Sequence, residues 1–221
     1  MIEKQYEGHL ELKRKKGLTR LGIEKSASWQ LDPRHLAFSL SRYKFVAKML
    51  SGKKNVLEVG CGDGFAIPIV LQEVGSVHAV DIDPVFIEDI AERVEDTWPF
   101  TFAVHDILSG SLPNIYDGAY FLDVFEHIPM SHERILLKNI ANSLISTGVC
   151  ILGTPSLESQ AYASSLSKQG HINCKSGPDL KKLMLDYFDN VFLFSMNDEI
   201  VHTGYYVMAH YLFVIGCGVK R

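Results

Sequence analysis

The chain has 221 residues, 47 % apolar and 22 % charged, the mix of a soluble globular protein with one large core. A formal net charge of −4 excludes an overall basic field that would draw it onto nucleic acid or an anionic membrane, and the one basic run, Lys13 to Lys16, reads as a solvated face or arm. The four cysteines form no C-x-x-C pair, which argues against a zinc ribbon or redox motif, and the first residues carry no apolar signal stretch. A cytoplasmic protein with reduced thiols is expected. Residues 1–35 are polar and weakly periodic and read as a partly helical appendage or lid, ahead of a main domain over residues 36–221. Asp32 and Pro33 start a helix that carries Leu36, Leu40, Phe45, Val46 and Met49 near helical spacing. A strand follows at Asn55 to Val59, then a glycine turn and a helix in which Pro68 is tolerable only in the first turns. "SVHAVDID", "FTFAVHDI" and "YDGAYFLDVFEHI" contribute the second, third and fourth strands, with the helix "PVFIEDIAERVE" between the first two of these. "SHERILLKNIANSLI" is a long helix with Ser131 as its expected cap, and "GVCILGTPS" is the fifth strand. After the helix "PDLKKLMLDYF" come a sixth strand, "NVFLFSMN", and a seventh, "YYVMAHYLFVIGCG". The apolar run Tyr205 to Val219 is short for a membrane span and reads as buried strand.

Strands and helices alternate from residue 55 to about 150, which predicts an α/β fold with a mostly parallel sheet covered on both faces. No helix separates the last two strands, so an antiparallel edge strand is expected there. Ligands of such sheets bind outside the C-terminal strand ends.

The stretch "NVLEVGCGDG" places Gly60, Gly62 and Gly64 directly after the first strand, where bare backbone lets a nucleotide-like ligand approach. A dinucleotide fingerprint needs a glycine where this chain has Phe65, and Asp63 would face a pyrophosphate with negative charge. An NAD-dependent oxidoreductase is thereby disfavoured. A cationic ligand without phosphate, such as S-adenosylmethionine, suits the acids better. Asp81, closing the second strand, can accept from both ribose hydroxyls, and Asp106, after the third, from the adenine amino group.

Together, "VLEVGCGDG", "AVDIDP", "HDI" and "YDGAYFLDVFEHI" resemble the class I S-adenosylmethionine-dependent methyltransferases over about residues 36 to 215. The resemblance implies a Rossmann-like three-layer sandwich with seven strands, the last antiparallel. By position it implies Glu58 near the methionine amino group and Gly60, Cys61, Gly62 and Gly64 under the methionine part. It places the ribose and adenine against Asp81 with Ile82 and Asp106 with Ile107, and has Asp123 opening the segment that faces the methyl group. Arg42 is a candidate for the cofactor carboxylate, or an ordinary surface arginine.

"DVFEHIP" sets Asp123, Glu126 and His127 at helical spacing, so two carboxylates and an imidazole would converge where the methyl group leaves. Such crowding calls for a cation or a proton. The pattern resembles acid-x-x-Glu-His in the ubiquinone-pathway O-methyltransferases and in the small-RNA 2′-hydroxyl methyltransferases, which implies a divalent metal (Mg, Mn, Fe or Zn) on Asp123, Glu126, His127 and His171. Those families usually have Glu where this chain has Asp123. Besides a structural or substrate hydrogen bond, the alternative to a metal is His127 as a metal-free general base, paired with Glu126. Either role favours a hydroxyl acceptor. The serine-rich stretch from Pro155 to Pro178 suits a small polar acceptor such as a sugar or saccharide, and the net acidity disfavours RNA. A non-catalytic module that only binds the cofactor is the remaining rival.

Overall fold

The computed structural model describes residues 3–94, 97–112 and 116–221. Two helices, α1 (Glu7–Lys16) and α2 (Ile23–Leu31), precede α3 (Pro33–Met49). The side chain of Asp32 accepts from the Arg34 amide at 3.2 Å, and Pro33 occupies the first helical position, so α3 starts where the sequence predicts. Next come β1 (Val56–Val59), α4 (Ile67–Leu71), β2 (Val77–Asp81), α5 (Pro84–Arg93), β3 (Thr101–Val104) and β4 (Tyr116–Leu122). The chain continues through α6 (Glu133–Ser143), β5 (Leu144–Pro155), α7 (Ser165–Gly170), α8 (Gly177–Met184), β6 (Phe188–Asn197), β7 (Ile200–His202) and β8 (Tyr211–Val219). Among the described residues no helix is long and apolar enough to cross a membrane.

All the strands join one sheet in the order β3-β2-β1-β4-β5-β8-β6-β7. From β3 to β5 every pairing is parallel, while β8 runs antiparallel to both β5 and β6. The last strand is thus antiparallel as expected, but it lies inside the sheet rather than at its edge. The edge is the extra three-residue strand β7, folded back on β6. This hairpin has too short an apolar pattern to stand out in the sequence. The predicted seventh strand also begins later, at Tyr211, because Tyr206–Met208 forms a 3-10 turn, and His210 lies exposed just outside it. Ser131 does not cap α6. His132 holds that position, and the Ser131 hydroxyl pairs with His132 Nδ1 at 3.0 Å instead.

Alternation along the strands builds two cores. Leu57, Val59 and Phe121 face α6 and α8 through Leu136, Ile140 and Met184. Val56, Ala79 and Ile151 pack beneath α3 and α4 against Val46, Ala47 and Val70. Because β1 pairs with β2 on one side and β4 on the other, the sheet order reverses there, which opens a crevice at the C-terminal ends of β1 and β4.

Candidate active site

The glycine turn sits in that crevice. The amides of Gly60 and Cys61 both donate to the Val80 carbonyl, at 2.8 and 3.1 Å, which folds the chain back sharply after β1. Gly60 has φ +72°, and a Cβ there would lie 2.2 Å from a methyl of Val124. Cys61 is buried, and burial pushes its thiol far up, so it is packing rather than a nucleophile. Asp81 locks the turn from its inner side, accepting from the Gly62 amide and from the Asp83 amide, each at 2.9 Å. Ile82 is 65 % exposed on the rim beside it. Asp106 accepts from the Leu108 amide at 2.8 Å, and the carbonyl of the buried Ile107 accepts from the Asn139 side chain at 2.7 Å. Asp81 thus closes β2 at the glycine turn, and Asp106 follows the end of β3.

Glu58 is enclosed. Its two oxygens accept from the hydroxyls of Tyr43 and Tyr120, both at 2.9 Å, and burial raises its carboxyl to about 8. A carboxyl raised from 4.5 keeps its proton longer in the folded chain than in the unfolded one. Stability is then highest below the unfolded value and falls as pH climbs between about 4.5 and 8. The Glu58 share of the urea-unfolding loss between pH 5.5 and pH 8 is expected to be about 3 kcal/mol, read as the difference between the loss of the wild type and the loss of Glu58→Gln.

The methyl-facing end differs from the expectation in one respect. Asp123 follows β4 with φ +56°, a left-handed backbone, and the 3-10 turn Phe125–His127 begins only after it. Asp123 therefore does not share a face with Glu126. Its carboxylate pairs with Arg42 at 2.6 Å, and the Arg42 guanidinium lies 3.9 Å over the ring of Tyr211. Asp123 drops out of the expected metal set, and Arg42, proposed for a cofactor carboxylate, has a protein carboxylate for partner.

The other three groups do come together. One ligand atom each from Glu126, His127 and His171 lies within 4.8 Å of the other two. The backbone explains how a residue 44 positions away arrives: the amides of Ile172 and Asn173 donate to the Glu126 carbonyl, at 2.8 and 3.0 Å. Glu126 is almost fully buried. Its Oε2 accepts from the Thr154 hydroxyl at 3.0 Å, while Oε1 has no partner among the described residues. Burial, then the nearby Asp123 carboxylate, pushes its carboxyl well above the usual range.

Both imidazoles have a fixed tautomer. His127 Nδ1 meets the Gly170 carbonyl at 2.9 Å, and His171 Nδ1 meets Gln160 Oε1 at 2.9 Å, while the amide nitrogen of Gln160 donates to the Ser156 carbonyl. Each acceptor calls for a proton on Nδ1, so in the neutral ring the lone pair sits on Nε2. Burial and the neighbouring His127 lower the pKa of His171, which favours this neutral form. A cavity of about 470 Å³ opens at this cluster between His127, Leu166 and Gly170. A second, about 570 Å³, adjoins it, walled by Glu158, Gln160, Tyr162, His171 and His210. Sequence reasoning missed Tyr211, Thr154 and Gln160. Tyr211 sits in an apolar run that reads as core, and nothing local marks the other two as partners of residues far along the chain.

Comparison with known proteins fits this geometry. Residues 32–187 match a family described as Methyltransferase domain (Methyltransf_23). A search of curated proteins returns no significant match. Among solved structures, the fold is similar to the N-methyltransferase NodS from Bradyrhizobium japonicum WM9 in complex with S-adenosyl-L-homocysteine. That match has a TM-score of 0.64 and 17 % identity, covering 86 % of this chain and 91 % of that one. The methyltransferase domain of bacterial CtHen1-C gives 0.67 at 16 % identity, over 82 % and 99 % of the two chains. An S-adenosylmethionine-dependent methyltransferase from Clostridium acetobutylicum ATCC 824 gives 0.66 at 12 % identity, over 87 % and 97 %. These likenesses carry the fold. With the family match over most of its length, the chain belongs to the S-adenosylmethionine-dependent class I methyltransferases.

Proposed function

We propose that this methyltransferase moves the methyl group of S-adenosylmethionine to a hydroxyl oxygen of a small polar acceptor such as a sugar or saccharide. The observation that carries this reading is the cluster of Glu126, with its unpartnered buried oxygen, and the two imidazoles whose tautomers leave a lone pair on each Nε2. A sulfonium is already an activated electrophile, so the enzyme's first task is to align acceptor, methyl carbon and sulfur. A hydroxyl acceptor must also lose its proton, and a nitrogen acceptor that is already neutral needs no such help. The polar wall of the adjoining cavity, with Glu158, Gln160 and Tyr162, suits a hydroxylated ligand, and its described lining offers an anionic one no Lys or Arg.

The donor set fits a divalent cation. One carboxylate with an unpartnered oxygen and two imidazole lone pairs make three ligands of mixed hardness, which suits Zn, Mn or Fe and is less favourable for Mg. Glu126, His127 and His171 would hold it, and when bound it would lower the pKa of the acceptor hydroxyl. It would also relieve the cost of burying the Glu126 carboxylate. With no cation, the same lone pair on His127 can take the hydroxyl proton directly. Equilibrium dialysis with metal analysis separates the two. The expected result is about one equivalent of metal per chain for the wild type and a loss of roughly 10- to 100-fold in affinity for His171→Ala. A metal-free wild type that is fully active in chelator would assign the work to His127 alone.

A further inference from the structure

The N-terminal helix α2 lies across the glycine turn, and the fit is close on both sides. Gly22, which precedes α2, is packed so tightly on Asp63 that a Cβ would sit 2.3 Å from the Asp63 Cβ. The Lys25 amide donates to Asp63 Oδ2 at 2.8 Å. Upstream, Arg20 reaches the Glu92 carbonyl at 3.0 Å, tying the same segment to α5. Between these anchors Glu24 extends to Gly62, where φ is +50° and a Cβ would be 2.4 Å from Glu24 Oε2. The Gly62 amide is taken by Asp81, so this residue is flanked by one acid from β2 and a second from α2. Glu24 contacts Lys25 Nζ at 3.4 Å and otherwise keeps 45 % of its side chain open.

We propose that Glu24 is a cofactor-binding residue, delivered by α2 to the open side of Gly62, where it accepts hydrogen bonds from the ribose–methionine half of S-adenosylmethionine. The bare Cα of Gly62 explains why this is the point of contact: any side chain there would fill the space that Glu24 reaches into. Charge supports the same role. Partial desolvation against the turn raises the Glu24 carboxyl, Lys25 offsets part of that, and Asp63 and Asp81 raise it further. A ligand bringing an ammonium and a sulfonium into this group of carboxylates relieves the repulsion. Only the hydroxyls of the ribose and the ammonium of the amino-acid end are strong donors in that half of the cofactor. The inference rests on the cofactor assignment and adds a residue that lies before the matched family region, residues 32–187.

Titration calorimetry with S-adenosylhomocysteine and with methylthioadenosine, which lacks the amino-acid end, tests it. Glu24→Gln is expected to weaken S-adenosylhomocysteine binding about tenfold, while Glu11→Gln on α1 leaves it unchanged. An equal loss for methylthioadenosine assigns the contact to the ribose. A loss confined to S-adenosylhomocysteine assigns it to the ammonium. Hydrogen exchange of the wild type supplies an independent readout: the Lys25 and Ser26 amides are expected to slow when S-adenosylhomocysteine is added. A Glu24→Gln affinity within twofold of the wild type, or exchange in α2 that ignores the ligand, overturns the inference. A wild type that binds neither compound would instead overturn the cofactor assignment itself.

Discussion

Gly60→Ala is expected to lower the affinity for S-adenosylhomocysteine by roughly 100-fold, read by titration calorimetry. Two effects add. The backbone at Gly60 has φ +72°, a conformation that costs an L-residue about 1–2 kcal/mol. The new Cβ would also lie 2.2 Å from a methyl of Val124, the residue that leads from Asp123 to Glu126. Relief would require Val124 to move, and with it the turn that presents His127. The substitution is therefore expected to damage cofactor binding and the arrangement of the cluster together, with a drop in thermal stability as a second sign. An affinity within threefold of the wild type would mean that the turn is not where the cofactor lies.

Removing the chemistry should look different. Glu126→Gln and His127→Ala are each expected to cut methyl transfer by about 100- to 10,000-fold while leaving S-adenosylhomocysteine binding within a few-fold. Gln keeps the size of Glu126 and can still accept from Thr154, but it cannot carry the charge that either a cation or a protonated His127 needs beside it. The two losses should not multiply in the double variant, because both residues serve one step. Labelled S-adenosylmethionine and a panel of hydroxylated acceptors give the measurement. A variant that loses the cofactor as well would point to a structural role for the buried Glu126.

Much of the fold and the site is legible in the sequence, for physical reasons that differ from residue to residue. Gly60, Gly62 and Gly64 stand out because glycine adopts the left-handed backbone of a tight turn without steric cost, and the acids Asp81 and Asp106 are legible because a strand end fixes where they lie. Local spacing reveals Glu126 and His127, and a family resemblance reveals His171. Helical spacing misplaces Asp123, which adopts φ +56°, because a single backbone angle is not written in a hydrophobic pattern. The short hairpin strand β7 and the interior position of β8 depend on long-range pairing, which leaves no local trace. Glu24 is invisible for the same reason: the sequence marks α2 as polar, and only the packing of Gly22 on Asp63 brings it to the turn.

The fate of the methyl group tests the catalytic role of the cluster most directly. With a ¹³C-methyl-labelled cofactor and a mixture of polyhydroxylated acceptors that includes amino sugars, NMR of the product should show the label on oxygen as a methyl ether in the wild type, and almost none with Glu126→Gln. A label found on nitrogen, or an ether formed at the wild-type rate without the Glu126 carboxylate, would contradict proton removal by the Glu126, His127 and His171 cluster.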